Sequence, residues 1–432
     1  SMARHRLEVA VAVLCMLCHT IAIQPFRSYV WQEKTKGTIL PTHRYEHVSE
    51  LIGNGMVVSH GHYVDLDSKQ QVWLDDTFIF DLENNTWTEI ATDRTLPRPS
   101  KRSSACSCLV NSKMYMFGGG DGGSRAGTSS YVADYYMQDL WSLQEEEGKW
   151  KWTEEEMKGT IPSPRANHAC ACSQSALYMY MGVDAGTVWE FKFDEKTWQV
   201  LIETRWGKPL LPRLLGATME SNGDHLYIFG GHTKGEPEQN TLYRVGIQSK
   251  KVETFSPPAQ SGGVPWPSPR AFHATTMTRG VLVLFGGAYC APSCTCLNDV
   301  WGLDVGTIDE DGAPRWDAIS STKVVVPERG SALASKSLFA HRFGHTIAFR
   351  AGTLYVFGGE TYNPNLYHND VMQFNLEGSS LFALMGAQSM GVVKGRTMGV
   401  ALASLVIGLT CTALFAFILI MNVRSEKAMK VR

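Results

Sequence analysis

The sequence predicts an all-β fold, a six-bladed β-propeller, followed by one C-terminal transmembrane α-helix. Three observations carry that expectation: a glycine-terminated strand run that recurs six times, a fixed order of markers around each copy, and a charge-free apolar stretch near the C-terminus.

The recurring runs are MYMFGG, ending at Gly118-Gly119, LYMYMG at Gly182, LYIFGG at Gly230-Gly231, LVLFGG at Gly286-Gly287 and LYVFGG at Gly358-Gly359. A sixth copy, MVVSHGH, has His60-Gly61 in place of the glycine pair. Upstream of each lies a Pro/Arg-containing turn, and in most copies a histidine follows the arginine by three residues. These read HRYEH (Arg44, His47), PSPRANH (Arg165, His168), PSPRAFH (Arg270, His273) and AHRFGH (Arg342, His345). LPRPSKR (Arg98, Arg102) and LPRLLG (Arg213) are weaker versions. Downstream come DDTFIFDL, QDLWSL, GTVWEFKF, NTLYRV, NDVWGLDV and NDVMQFNL, usually trailed by a tryptophan: Trp87, Trp152, Trp198 and Trp316.

Each repeat therefore supplies four short strands, whose alternating β-branched and aromatic residues suit a pleated surface with a buried face. A four-stranded unit cannot bury both faces alone, so such units pack around an axis. A β-sandwich would not require this marker order six times over. The tryptophans are expected to fill the wedges between blades.

The chain ends divide into targeting and closure segments. Arg4 and Arg6 precede an apolar stretch from Val9 to Cys18, which reads as a secretory signal peptide over residues 1–22. The propeller is assigned to residues 27–385. Within it, Ser28-Tyr29-Val30-Trp31 resembles the trailing strand of a blade with no beginning and is expected to complete the sixth blade, the competing segment being Leu381-Phe382-Ala383-Leu384. Residues 386–397 form a juxtamembrane linker. Residues 398–421 are free of charge and long enough to cross about 30 Å of hydrocarbon. Arg424, Lys427, Lys430 and Arg432, against Glu426, place the tail 422–432 in the cytoplasm and the propeller outside or in a lumen, a type I arrangement.

Cysteine use fits an oxidising compartment only in part. Seven remain in the exterior part, an odd number, so at least one is a free thiol or pairs between chains. Cys290, Cys294 and Cys296 crowd one loop and are disulfide candidates. The CxC pairs Cys106/Cys108 and Cys170/Cys172 read as small packing residues on strands. No metal site is assigned. The sequon Asn84-Asn85-Thr86 makes Asn84 a glycosylation candidate in a strand-connecting turn.

The combination Arg-x-x-His, Tyr-x-Phe-Gly-Gly, Asn-Asp-x-Trp and a trailing Trp resembles the kelch repeat over nearly the whole exterior portion. It departs in the first copy, in the third (Met181-Gly182-Val183) and in the fourth, where Val252-Glu253-Thr254-Phe255 lacks the tryptophan. The resemblance implies ligand binding by loops at one face of the ring. It also implies that Arg44, Arg98 or Arg102, Arg165, Arg213, Arg270 and Arg342 surround the channel mouth, where guanidiniums would attract an acidic ligand. The competing reading pairs each arginine with a neighbouring blade's aspartate: Asp76, Asp139, Asp299 or Asp370. The histidines are expected to be core groups bonded to nearby backbone. Gly120–Asp134, Gly231–Asn240, Gly287–Asn298 and Glu360–Asn369 make up the expected recognition face, with Tyr289, Tyr362 and Tyr367 as aromatic anchors.

A net charge of −2, with 19% charged residues and no basic cluster in the body of the chain, argues against nucleic acid as a partner. No catalytic residues and no cofactor are assigned, because nucleophile elbow, phosphate loop and metal constellation are all unmatched. The expected function is a noncatalytic binding module for a protein or glycan. The alternatives are a mutarotase-like sugar enzyme and a structural subunit of a membrane complex.

Overall fold

The computed structural model describes residues 32–33, 39–65, 67–90, 95–122, 135–181, 186–203, 209–258, 265–290, 293–320, 341–362 and 366–376. Six antiparallel sheets arise from strand runs with apolar residues at buried positions. Blade 1 is Val48–Ile52, Gly55–Ser59, Thr77–Asp81 and Thr86–Glu89; blade 2 is Cys106–Val110, Lys113–Phe117, Leu140–Glu146 and Lys149–Glu154. Blade 3 is Ala169–Cys172, Ala176–Tyr180, Val188–Lys192 and Thr197–Ile202, with Lys158–Gly159 added in parallel at its outer edge. Blade 4 is Thr218–Ser221, His225–Phe229, Leu242–Gly246 and Val252–Phe255; blade 5 is Ala274–Thr278, Val281–Phe285, Val300–Asp304 and Trp316–Ser320. Thr346–Arg350, Thr353–Phe357 and Val371–Asn375 begin blade 6. The first strand of each blade packs on the first strand of the next, and blade 6 returns to blade 1.

Among the described residues the core is not one mass but six clusters, one per blade junction, with a smaller seventh of Ala288, Cys296 and Phe343 under the loops. Trp87, Phe78 and Phe80 of blade 1 meet Phe357 and Val371 of blade 6, and the same arrangement recurs around the ring. The tryptophans sit in the expected wedges. Trp87 lies 4.9 Å from Phe357, Trp198 5.2 Å from Phe117 and Trp316 5.0 Å from Phe229, each ring reaching the second strand of the preceding blade. Removing one such ring would cost about 3–5 kcal/mol.

Blade 6 is completed by the N-terminal segment, with Gln32 opposite Gln373 and Glu33 opposite Met372. The closing strand was expected at Ser28–Trp31; the pairing described lies immediately after it. Leu381–Leu384, the signal segment, the linker, residues 398–421 and the tail lie outside the described residues. Among the described residues no helix is long and apolar enough to cross a membrane.

Candidate binding face

Five arginines define how each blade meets its predecessor. Arg44, Arg102, Arg165, Arg270 and Arg342 are at most 1% exposed. Each donates through Nη1 to a backbone carbonyl sixteen residues on: His60, Gly118, Met181, Gly286 and Gly358. Four also hold an aspartate with both terminal nitrogens: Arg44–Asp76, Arg102–Asp139, Arg270–Asp299 and Arg342–Asp370, at 2.6 to 3.2 Å. Burial pushes the Asp139, Asp299 and Asp370 carboxyls up, and the arginine beside each more than offsets it, leaving all three below the usual carboxylate range. The arginine's own carbonyl accepts from the second glycine of the preceding blade, as in Gly119 to Arg165 at 2.9 Å and Gly287 to Arg342 at 3.0 Å.

These five guanidiniums therefore do not line a channel mouth, which corrects that expectation: four are buried with a carboxylate, and Arg165 is held by the Met181 and Ser163 carbonyls and lies 5.9 Å over the Trp189 ring. The aspartate belongs to the arginine's own blade, not a neighbouring one, and the link between blades is made by backbone. Arg213 is exposed, and the neighbouring Leu214, 2% exposed, holds the register position that arginine takes elsewhere. Thr241 stands where the aspartate would be, so blade 4 lacks both halves of the pair. Arg98 is half-buried beside Asp75 at 3.4 Å.

The histidines pack against the preceding blade's first glycine. A Cβ added at Gly286 would lie 2.8 Å from His345 Cε1, at Gly230 2.8 Å from His273 and at Gly358 2.7 Å from His47. Burial first, then the nearby arginine, pushes His168 and His345 down to about 3, so the rings are neutral. His47 and His273 bond Thr346 and Thr218 of the preceding blade at 2.8 and 2.9 Å. Where the first glycine becomes a large residue, His60 or Met181, the next blade carries Ala105 or Ala217 in place of histidine. Bulk moves from one side of the junction to the other.

Between each arginine and histidine position lie two residues, and the second forms a collar around the central tunnel. Glu46, Ser104, Asn167, Gly216, Phe272 and Gly344 all adopt φ between 52 and 67°. Their amides donate around the ring: Glu46 to Gly344, Ser104 to Glu46, Asn167 to Ser104, Phe272 to Gly216 and Gly344 to Phe272, at 2.8 to 2.9 Å. A left-handed phenylalanine is costly, and the collar bonds hold it there.

Beyond the collar is an aromatic row, half-buried at Tyr45, Phe272, Tyr362 and Tyr367 and buried at Phe343. Tyr45 stacks on Tyr367 with centroids 5.4 Å apart, Phe343 on Tyr362 at 4.4 Å, and Phe272 meets Phe343 at 6.3 Å. Glu46, Glu238 and Glu360 sit among these rings. Burial, then the charge of Glu46, raises Glu360 to about 7. Of the expected anchors, Tyr362 and Tyr367 come together here. Tyr289 pairs its backbone with Thr295 on the adjoining loop of blade 5, and Cys290 N–H donates to Glu238 at 3.0 Å. Tyr45, Glu46, Phe272 and Phe343 were missed because the Arg-x-x-His turn was read for its fixed ends; of its two variable positions, the second is part-exposed in every copy and the first is buried in most.

Behind the collar the tunnel encloses about 440 Å³ and is lined by first strands of all six blades. Glu50 accepts from Ser107 Oγ at 2.7 Å, and Glu220 accepts from Thr275 Oγ1 at 3.0 Å. Enclosure raises Glu50 to about 8 and Glu220 to about 7.

Cys290 and Cys294 form a disulfide, as expected, whereas Cys296 is a buried free thiol pushed by burial up to about 11. The CxC pairs are not mere packing: Cys106–Cys170 and Cys108–Cys172 bridge the first strands of blades 2 and 3. Asn84 is exposed in the hairpin turn of blade 1, its amide donating to Asp81 at 2.8 Å.

A family model described as the KLHDC2/KLHL20/DRC7 Kelch-repeats domain matches residues 18–182, 95–217 and 183–340. The chain is 26% identical over 260 residues to the leucine-zipper-like transcriptional regulator 1 homolog of Drosophila melanogaster, covering 57% of this chain and 24% of that protein. It is 26% identical over 310 residues to leucine-zipper-like transcriptional regulator 1 of Mus musculus, covering 69% of this chain and 32% of the relative. A shorter match, 28% over 144 residues, is to the N-(sulfonatooxy)prop-2-enimidothioate sulfolyase of Thlaspi arvense, covering 32% of this chain and 40% of that protein. The chain spans only 24% and 32% of the two regulator relatives.

Proposed function

Since this chain belongs to the Kelch-repeat propeller family, we propose that it is a noncatalytic interaction module that binds a protein partner at its collar face. The carrying observation is the group Tyr45, Tyr367, Tyr362 and Phe272, large rings part-exposed on loops that a rigid ring holds in place and packed around the buried Phe343. Such rings bind with little ordering cost and are the usual anchors of interfaces. A glycan remains the second ligand class, since stacked tyrosines also accept sugar faces.

We further propose that the propeller is presented in the secretory pathway or at the cell surface as a type I membrane protein. Three disulfides support an oxidising compartment, and the apolar residues 398–421 followed by basic residues support the anchor. The exposed Asn84 would then carry a glycan.

Proximity labelling with the intact protein in cells, repeated with Tyr362→Ala/Tyr367→Ala, tests the binding reading. Partners lost with the double variant are the expected result. A partner set unchanged by it, together with saturable sugar binding on a glycan array, would replace the protein ligand by a glycan. Turnover of a bound sugar would end the noncatalytic reading. A glycosidase-sensitive mass shift abolished by Asn84→Gln checks the compartment.

A further inference from the structure

The charge of the collar face is opposite to what a ring of outward arginines would give. The five buried guanidiniums are used up inside the blades. Three carboxylates are left at the junction of blades 1, 6, 5 and 4, and no lysine or arginine among the described residues forms an ion pair with any of them. Glu46 accepts from Ser104 Oγ and, among the described residues, has only His62 within ion-pair range, at 3.8 Å, and burial keeps that ring's basicity low. Glu238 accepts one backbone N–H. Glu360, 6% exposed, lies against Tyr367.

These carboxylates share their space with the aromatic row. The charges of Glu360, Glu46 and Glu238 all bear on the Tyr362 hydroxyl, and those of Glu46 and Glu360 on that of Tyr45. Part-exposed tyrosine faces beside unneutralised carboxylates recognise one kind of group well. A planar guanidinium stacks on the ring and gives its edge to the carboxylate. An acidic ligand would meet repulsion at the part-exposed Glu46 and Glu238, and a purely apolar one would leave those carboxylates desolvated without a partner.

We propose that this sector docks an arginine-rich segment of the partner protein. The inference rests on the interaction-module reading and adds the chemistry of the partner.

The test uses the full chain in detergent and two fluorescein-labelled peptides, one alternating arginine with glycine and one alternating glutamate with glycine. Fluorescence anisotropy should show binding of the arginine peptide that weakens as salt rises. Glu46→Gln/Glu238→Gln should weaken it about tenfold, a single close charge pair being worth at least that at an interface. Tyr362→Leu, which leaves charge unchanged, should weaken it several-fold. Glu146→Gln, on the exposed hairpin of blade 2, should leave it unchanged. Equal weakening by Glu146→Gln would reduce the effect to bulk charge and overturn the proposal. Binding of the glutamate peptide instead would also overturn it, as would binding of neither peptide at low salt. In both cases the module reading stands or falls separately, on the Tyr362/Tyr367 labelling experiment. Glu238 lies on an exposed loop, so Glu238→Gln alone keeps the test open if the double variant folds poorly.

Discussion

At the junction of blades 5 and 6, Gly286→Met should be strongly destabilising, and His345→Ala should rescue it. Gly286 has φ 65°, and a Cβ there would lie 2.8 Å from His345 Cε1 and 2.9 Å from the Arg342 carbonyl. The left-handed backbone costs a side chain about 1–2 kcal/mol. Forcing it against the histidine adds about 1–3 kcal/mol of overpacking. The single variant should thus lose about 2–5 kcal/mol. His345→Ala alone leaves a cavity, and we expect a loss of about 2–4 kcal/mol by the same reckoning as other large-to-small core changes. Together they recreate the Met181/Ala217 arrangement this chain already uses between blades 3 and 4. The methionine then occupies the space of the ring, and the double variant should be more stable than Gly286→Met alone by about 1–3 kcal/mol, the range of coupling between touching residues. Urea unfolding followed by tryptophan fluorescence gives the midpoints. Additive losses, with the double variant weaker than either single one, would show that the bulk exchange between neighbouring repeats is coincidental.

Asp299→Ala should cost about 3–5 kcal/mol by leaving Arg270 buried without its carboxylate, while Arg213→Ala on the surface should stay within about 0.5 kcal/mol; thermal unfolding separates them, and equal effects would contradict the assigned roles. Removing both parallel bridges, Cys106→Ser/Cys170→Ser with Cys108→Ser/Cys172→Ser, should lower stability by about 2–4 kcal/mol, because either one alone still closes the same long loop of unfolded chain; an unchanged melting temperature under oxidising conditions would count against it. Glu50 and Glu220 have values raised from 4.5 to about 8 and about 7, so stability linked to their protonation is full below pH 4.5 and is lost as pH rises through those values. Glu50→Gln should therefore gain on the native protein between pH 4.5 and 8, by about 2–4 kcal/mol; a pH-independent difference in urea midpoints would refute it.

The repeat was legible because every blade solves the same burial problem. Strand runs, glycine turns and trailing tryptophans such as Trp198 recur wherever that solution recurs. What a sequence position does not carry is the direction of its side chain. Arg270 reads equally as a ligand-seeking cation and as an internal strut; only the placement of Asp299 and the Gly286 carbonyl within its reach decides. The cysteine bridges left a trace that a strand-by-strand reading passes over: Cys106 to Cys170 and Cys108 to Cys172 are both separated by 64 residues, which brings two neighbouring first strands into contact at two points. The collar was hidden for a different reason. Glu46 and Phe272 match nothing in the other copies, and repeat analysis discards what does not repeat.

Because Gln32 faces Gln373 across the sixth sheet, the earliest part of the fold to leave the ribosome waits for nearly the latest. Chains emerge N-terminus first, and contacts so distant along the sequence form slowly. During synthesis the outer edge destined for blade 6 has no mate, and nascent blades present apolar flanks to whatever is nearby. The vulnerable interval in the life of this protein is therefore its production. A chaperone that shields that first strand, and lets go when the last blade appears, would govern yield without touching the finished molecule.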